Sequence, residues 1–206
     1  MRIGAQVYTI RDFCKNLDDF SESMKRIADI GYQYVQISGT CDYEPEWLKA
    51  ELEKNGLACV ITHIPADRLL SDPAGVAHDH DIFGCKYVGL GWNACQLDKG
   101  DTPDAFYDKY IAAAHVLKER GKYFMYHNHD QEFQKYNGKP VLEQLAGMFA
   151  PDEMGWFYAG HLLDHRRRRR PGMVDRAPER TCALHPPEGF RLWKENGRDW
   201  RRQHQF

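Results

Sequence analysis

No stretch of this chain approaches the ~20 consecutive apolar residues that a membrane span needs. Met1–Arg11 carries a charged Arg2 and no long apolar run, so neither a membrane anchor nor a secretory leader is expected. The six cysteines (Cys14, Cys41, Cys59, Cys85, Cys95 and Cys182) contain no CxxC pair. In a chain of 206 residues with an ordinary apolar content, a disulfide framework is not expected; they read as reduced, mostly buried thiols of a cytoplasmic protein. GxGxxG and GxxxxGK[ST] loops are missing after every candidate strand, which weakens a nucleotide-binding doubly wound sheet. A GxSxG elbow is missing too, and Cys14 or Cys41 as a catalytic thiol has no supporting partner.

Charge is unevenly shared. Of 28 Lys+Arg and 30 Asp+Glu, residues 156–206 hold 12 and 6, leaving 16 and 24 in residues 1–155: a balance of +6 against −8. An acidic body argues against a nucleic-acid binder.

What is present alternates. Arg2–Ile10 reads as a strand. Asp18–Ile30 reads as a helix with Phe20, Met24, Ile27 and Ile30 at 3–4 spacing and a stop at Gly31. Tyr34–Ser38, Ala58–Ile64, Tyr87–Gly91 and Lys122–His127 are further strands. Glu44–Lys54, a segment around Pro73–Phe83, a long helix opened by Thr102-Pro103 and ended at Gly121, and Val141–Phe149 are the intervening helices. Strict strand–helix alternation implies a parallel sheet with helices outside, either a barrel or a doubly wound sheet. From Trp156 the pattern fails: His165–Pro171 holds five consecutive arginines, and the remainder shows neither helical nor strand periodicity. The arginine run is either a polyanion-binding patch or a by-product of the reading frame.

The opening IGAQVYTIRD, the segment GCKYVGLG and above all YHNHDQEF (Tyr126–Phe133) resemble the sugar phosphate isomerase/epimerase family of the xylose isomerase-like TIM-barrel superfamily, over roughly residues 1–155. The resemblance implies a (β/α)8 fold, here incomplete at about five to six βα units, with residues 156–206 an irregular basic tail. It also implies a divalent cation (Mn, Mg, Co or Zn) held by two Glu, an Asp and a His from strands five to eight. Such a cation would polarise a carbonyl while a proton moves on the adjacent carbon, and the ligand would be a small sugar or sugar phosphate. A cyclitol (inosose-type) dehydratase or lyase uses the same metal and proton abstraction; a non-catalytic, decayed barrel fragment is the third alternative. An endonuclease-like relative shares the barrel, but the −8 balance of residues 1–155 argues against a DNA-facing surface.

On this resemblance Glu132, His129 and His127 are the expected catalytic residues, with Glu132 and His129 as metal ligands. The alternative reading makes them surface-loop polar residues. His63, Tyr8 and Trp92 are candidate substrate contacts, each with a bland alternative: a hydrogen-bonded strand-end histidine, a packed tyrosine with Arg11 beside it, and a rim tryptophan next to Asn93. His78-Asp79-His80-Asp81 looks like a metal cluster on paper, but helical spacing does not place i and i+2 on one face, so a solvated helix surface is expected.

The tail becomes legible when its codons are read one base later. Tyr158–Asp175 then permits MLDTYWITAGGGDPAWWI, and His185–Phe190 permits IHLKDF; both resemble later barrel strands of the family. A frameshift near Gly155–Tyr158 is therefore expected, leaving a chain short of the last strands, with an exposed sheet edge and no turnover.

Overall fold

The computed structural model describes residues 2–91, 95–157 and 190–193. Trp92, Asn93, the arginine run and most of the segment read in a shifted frame lie outside the described residues. The chain divides into two compact units, the first comprising residues 2–62, 81–85 and 190–193, the second residues 63–80, 86–91 and 95–157.

In the first unit, β1 (Arg2–Gln6) pairs in parallel with β2 (Tyr34–Ile37), and β2 with β3 (Ala58–Ile64). Helices α1 (Leu17–Ile30) and α2 (Pro45–Lys54) connect them. Asn16 caps α1 by accepting a hydrogen bond from the Asp19 N–H at 2.9 Å, and Gly31 ends it at φ 105°, a left-handed conformation that suits glycine. Phe20, Met24 and Ile27 of α1 and Leu48 and Leu52 of α2 pack against Val35, Ile37 and Cys59 of the strands. Ile30, expected in this stripe, is 59% exposed, because it sits in the last turn beside the Gly31 stop.

Two expectations are corrected here. The first strand ends at Gln6 rather than Ile10, and 3-10 turns follow over Val7–Phe13. Side chains take up the freed carbonyls: the Thr9 hydroxyl donates to Gln6 O at 2.7 Å and the Arg11 guanidinium to Tyr8 O at 3.0 Å. The tail, expected to hold no strand, supplies β9 (Phe190–Trp193), parallel to β1 in the register Arg2↔Phe190 to Ala5↔Trp193. A run rich in Phe, Leu and Trp suffices where a strand edge offers unpaired N–H and C=O groups.

In the second unit, β4 (Tyr87–Leu90), β5 (Tyr123–His127) and β8 (Gly155–Phe157) run parallel in sequence order. Helix α5 (Pro103–Glu119) opens on Thr102, whose hydroxyl accepts the Ala105 N–H at 3.1 Å. Its buried face (Phe106, Tyr110, Ala113, Ala114 and Leu117) covers Val88, Leu90, Phe124 and Tyr126. Helix α6 (Val141–Met148) adds Val141 and Leu145 to the same core. A short helix missed in the sequence, α3 (Ala66–Ser71), precedes α4 (Pro73–Ile82). Also missed is a two-residue hairpin, β6 (Lys135–Tyr136) and β7 (Lys139–Pro140). Its turn places Asn137 at φ 49° and Gly138 at φ 83°, the Asn-Gly pair that such a turn demands.

The expectation for His78–Asp81 is corrected at one position. His78 and Asp81 are exposed and Asp79 pairs with Arg68 at 3.3 Å, but His80 is buried, its Nδ1 2.7 Å from Val76 O. It shares the core-facing stripe of α4 with Val76 and Ala77. Among the described residues no helix is long and apolar enough to cross a membrane.

Candidate functional site

Strand alternation sorts side chains in the second unit. Phe124 and Tyr126 of β5 face the helices: Tyr126 meets Phe106 of α5 edge-on, ring centroids 5.1 Å apart. Met125 and His127 therefore stand on the opposite face. Val88 and Leu90 of β4 belong to the helix-side core, which leaves Gly89 and Gly91 opposite, and Ile64 at the end of β3 packs on that core, which leaves His63 opposite. So His63, Gly91 and His127 occupy one face at the C-terminal ends of three strands, the end at which barrel active sites are built.

These ends hold a row of three imidazoles. The His63 and His127 rings lie 5.1 Å apart at 57°, and the His127 and His129 rings 4.9 Å apart at 74°, an edge-to-face contact. His127 is 7% exposed and Asn128 equally buried. A Cβ built on Gly91 would fall 2.4 Å from His63 Nδ1 and 2.5 Å from its Cγ, so the glycine is what admits the His63 ring. Imidazole nitrogens can donate or accept hydrogen bonds, so rings set side by side suit the vicinal hydroxyls of a polyol.

Glu132 does not join that row. It lies in a 3-10 turn (Gln131–Phe133) and its side chain is fully buried. Oε1 accepts the Tyr126 hydroxyl at 2.5 Å, on the helix side of β5, and Oε2 accepts the His129 N–H at 2.7 Å. Burial, followed by the adjacent Glu132 carboxylate, pushes the Tyr126 hydroxyl far above the ordinary phenol range. Cys95 is buried in the same core, and burial, then the charges of Asp101 and Glu132, push its thiol up to about 11.

The described residues do not fit the expected cation. No group of three or more His, Cys, Asp or Glu among them is arranged to hold a metal ion, and both Glu132 oxygens already accept hydrogen bonds. Tyr8 belongs to the first unit, where it is half-exposed, with the Arg11 guanidinium 4.5 Å from its ring centroid and its ring edge against Gly39. Tyr126, Gly91 and Asn128 were not singled out from the sequence. The Tyr…Glu spacing within YHNHDQEF and the GLG before Trp92 were their only signals.

Neither a protein-family model nor a curated protein matches the chain. Solved structures do. A sugar phosphate isomerase/epimerase from Parabacteroides distasonis ATCC 8503 matches with a TM-score of 0.62 at 17% identity, over 75% of this chain and 66% of that one. An AP endonuclease, family 2, from Brucella melitensis matches at 0.55 and 11% identity, over 81% and 75%. A xylose isomerase-like TIM-barrel protein from Mycobacterium smegmatis, in complex with magnesium, matches at 0.56 and 11% identity, over 75% and 63%. The chain thus spans about two thirds to three quarters of these neighbours' lengths. At such identities the likeness establishes the fold alone, that of a TIM barrel.

Proposed function

We propose that this xylose isomerase-like barrel carries a site of the sugar or sugar-phosphate isomerase/epimerase type, and that the row His63–His127–His129 is its substrate-binding and proton-transferring part. The observation that carries the reading is the contact of the His127 ring with both the His63 and the His129 ring at the ends of β3 and β5. His63, held against Gly91, hydrogen-bonds a substrate hydroxyl. A ring nitrogen of His127 or His129 takes the proton from the hydroxyl-bearing carbon beside the carbonyl and delivers it to the former carbonyl carbon, while the neighbouring imidazole passes the hydroxyl proton to the carbonyl oxygen. Met125 stands on the same face, and Gly91 gives its space to the His63 ring. The ligand is a small sugar or sugar phosphate. The −8 balance of residues 1–155 opposes an acidic polymer such as DNA.

The proposal includes the shifted reading frame after about Gly155–Tyr158, on the support of the two family-like segments hidden in it. The remaining strand-end residues are then missing from the chain as written, which binds its ligand without turning it over.

The test uses the frame-restored protein with a panel of ketoses and ketose phosphates in D2O. Solvent deuterium should enter the product at the carbon next to the carbonyl, and His127→Ala and His129→Ala should each lower kcat by ~10²-fold or more. Turnover without deuterium entry, or variants with full activity, would remove the proton-transfer role.

A further inference from the structure

We infer that Glu132 is a positioning residue: with Tyr126 it forms a buried clamp that fixes the backbone of His129 and so sets the His129 ring against His127.

Three observations carry this. The carboxylate is fully buried, so it has no open side toward a ligand. Its two oxygens are used in two directions, Oε1 toward the Tyr126 hydroxyl in the helix-side core and Oε2 toward the His129 N–H. It therefore ties a residue on one face of β5 to the loop carrying a ring on the other face. Finally, His129 lies two residues beyond the end of β5, where no strand pairing holds the backbone, yet its ring keeps an edge-to-face contact with His127 at 4.9 Å. The Asn128 side chain adds a long hydrogen bond of 3.4 Å to His129 O. A charge-bearing acceptor on the His129 N–H is a strong local restraint.

The inference deepens the proposed site, since it explains the placement of one of its rings, but its primary readout needs no ligand and stands if the substrate reading fails. A clamp depends on geometry, whereas a metal ligand or general base depends on the carboxylate itself. Glutamine has the same shape, accepts the His129 N–H through its carbonyl oxygen and donates to the Tyr126 oxygen through its amide.

The experiment compares Glu132→Gln, Glu132→Ala and Tyr126→Phe in the full chain, by amide hydrogen exchange at His129 and by the cross-peak between the His127 and His129 imidazole protons. In Glu132→Gln both should remain close to those of the parent. In Glu132→Ala exchange at His129 should rise on the order of tenfold and the cross-peak should vanish. In Tyr126→Phe the changes should be smaller and of the same sign. The Phe124 and Met125 amides should be unaffected throughout. Should Glu132→Ala fail to fold, the contrast between Glu132→Gln and Tyr126→Phe carries the comparison. A Gln variant as disordered at His129 as the Ala or Phe variant, or no change at His129 in any variant, would overturn the clamp.

Discussion

The His63 ring occupies the space that a side chain at Gly91 would need: a Cβ there would fall 2.4 Å from Nδ1 and 2.8 Å from the His63 Cβ. These atoms belong to the ring and its root, not to a flexible tip, so neither partner can yield cheaply. Gly91→Ala should displace His63, destabilise the chain by about 1–3 kcal/mol as an overpacked site does, and separate the His63 and His127 rings. Urea unfolding together with the His63 imidazole resonances would check it. An alanine variant of parental stability with an unmoved His63 resonance would contradict the packing described.

His127 joins the other two rings, so it should be the most sensitive member of the row. His127→Phe keeps an aromatic ring in the 4.9–5.1 Å contacts and removes the hydrogen-bonding nitrogens. Stability should change by less than about 1.5 kcal/mol, while affinity for a ketose falls at least about tenfold, the value of one lost hydrogen bond to a buried partner. Calorimetric titration of the variant separates the two effects. Equal affinity in parent and variant would show that the ring nitrogens do not touch the ligand.

Cys95 makes the chain sensitive to alkali. Its thiol is held up to about 11, against an ordinary 9.0, chiefly by burial. Below pH 9 it is protonated in folded and unfolded chains alike, and its contribution is intact. Between about pH 9 and 11 the unfolded chain loses the proton first and is favoured, so stability falls as pH rises through that window. Urea midpoints at pH 8 and pH 10.5 should show a smaller alkaline loss in Cys95→Ala than in the parent. A loss of the same size would assign the effect to other groups, such as Cys59, whose thiol is raised by the adjacent Cys85 and by burial.

The shifted frame is decided at the level of DNA. Arg166–Arg170 should be encoded by CGN codons, whose one-base shift yields the GNC triplets of the alternative reading. AGA or AGG codons in the run would contradict it. If the frame is restored, the product should unfold cooperatively in urea, at a higher midpoint than the chain as written.

Much of the scaffold was legible because local chemistry and fold agree. Thr102 and Pro103 open α5, Gly31 closes α1, and Ala58–Ile64 is a strand at its expected bounds, since cap, period and burial point the same way at each. Val7 and Thr9 continue the alternation of the first strand beyond its end at Gln6, and nothing in that pattern reveals that Thr9 bonds back to Gln6. His80 looked like a surface charge because its neighbours are charged; only its i, i+4 relation to Val76 points inward.

At the site, the parity of β5 and its extension put His127 and His129 together, whereas Glu132 follows a 3-10 turn that destroys parity. From sequence it could face either side of the strand. The structure turns it toward Tyr126, a partner hidden by the usual reading of a strand tyrosine as core.

The most direct measurement is a nitrogen-15 imidazole spectrum of the chain, titrated with a ketose and its phosphate. The chain has ten histidines. His63, His127 and His129 should shift together along one saturable curve, and His80, buried on α4, should stay in place. Shifts scattered over surface histidines, or none at the three rings when ligand reaches the millimolar range, would contradict the account.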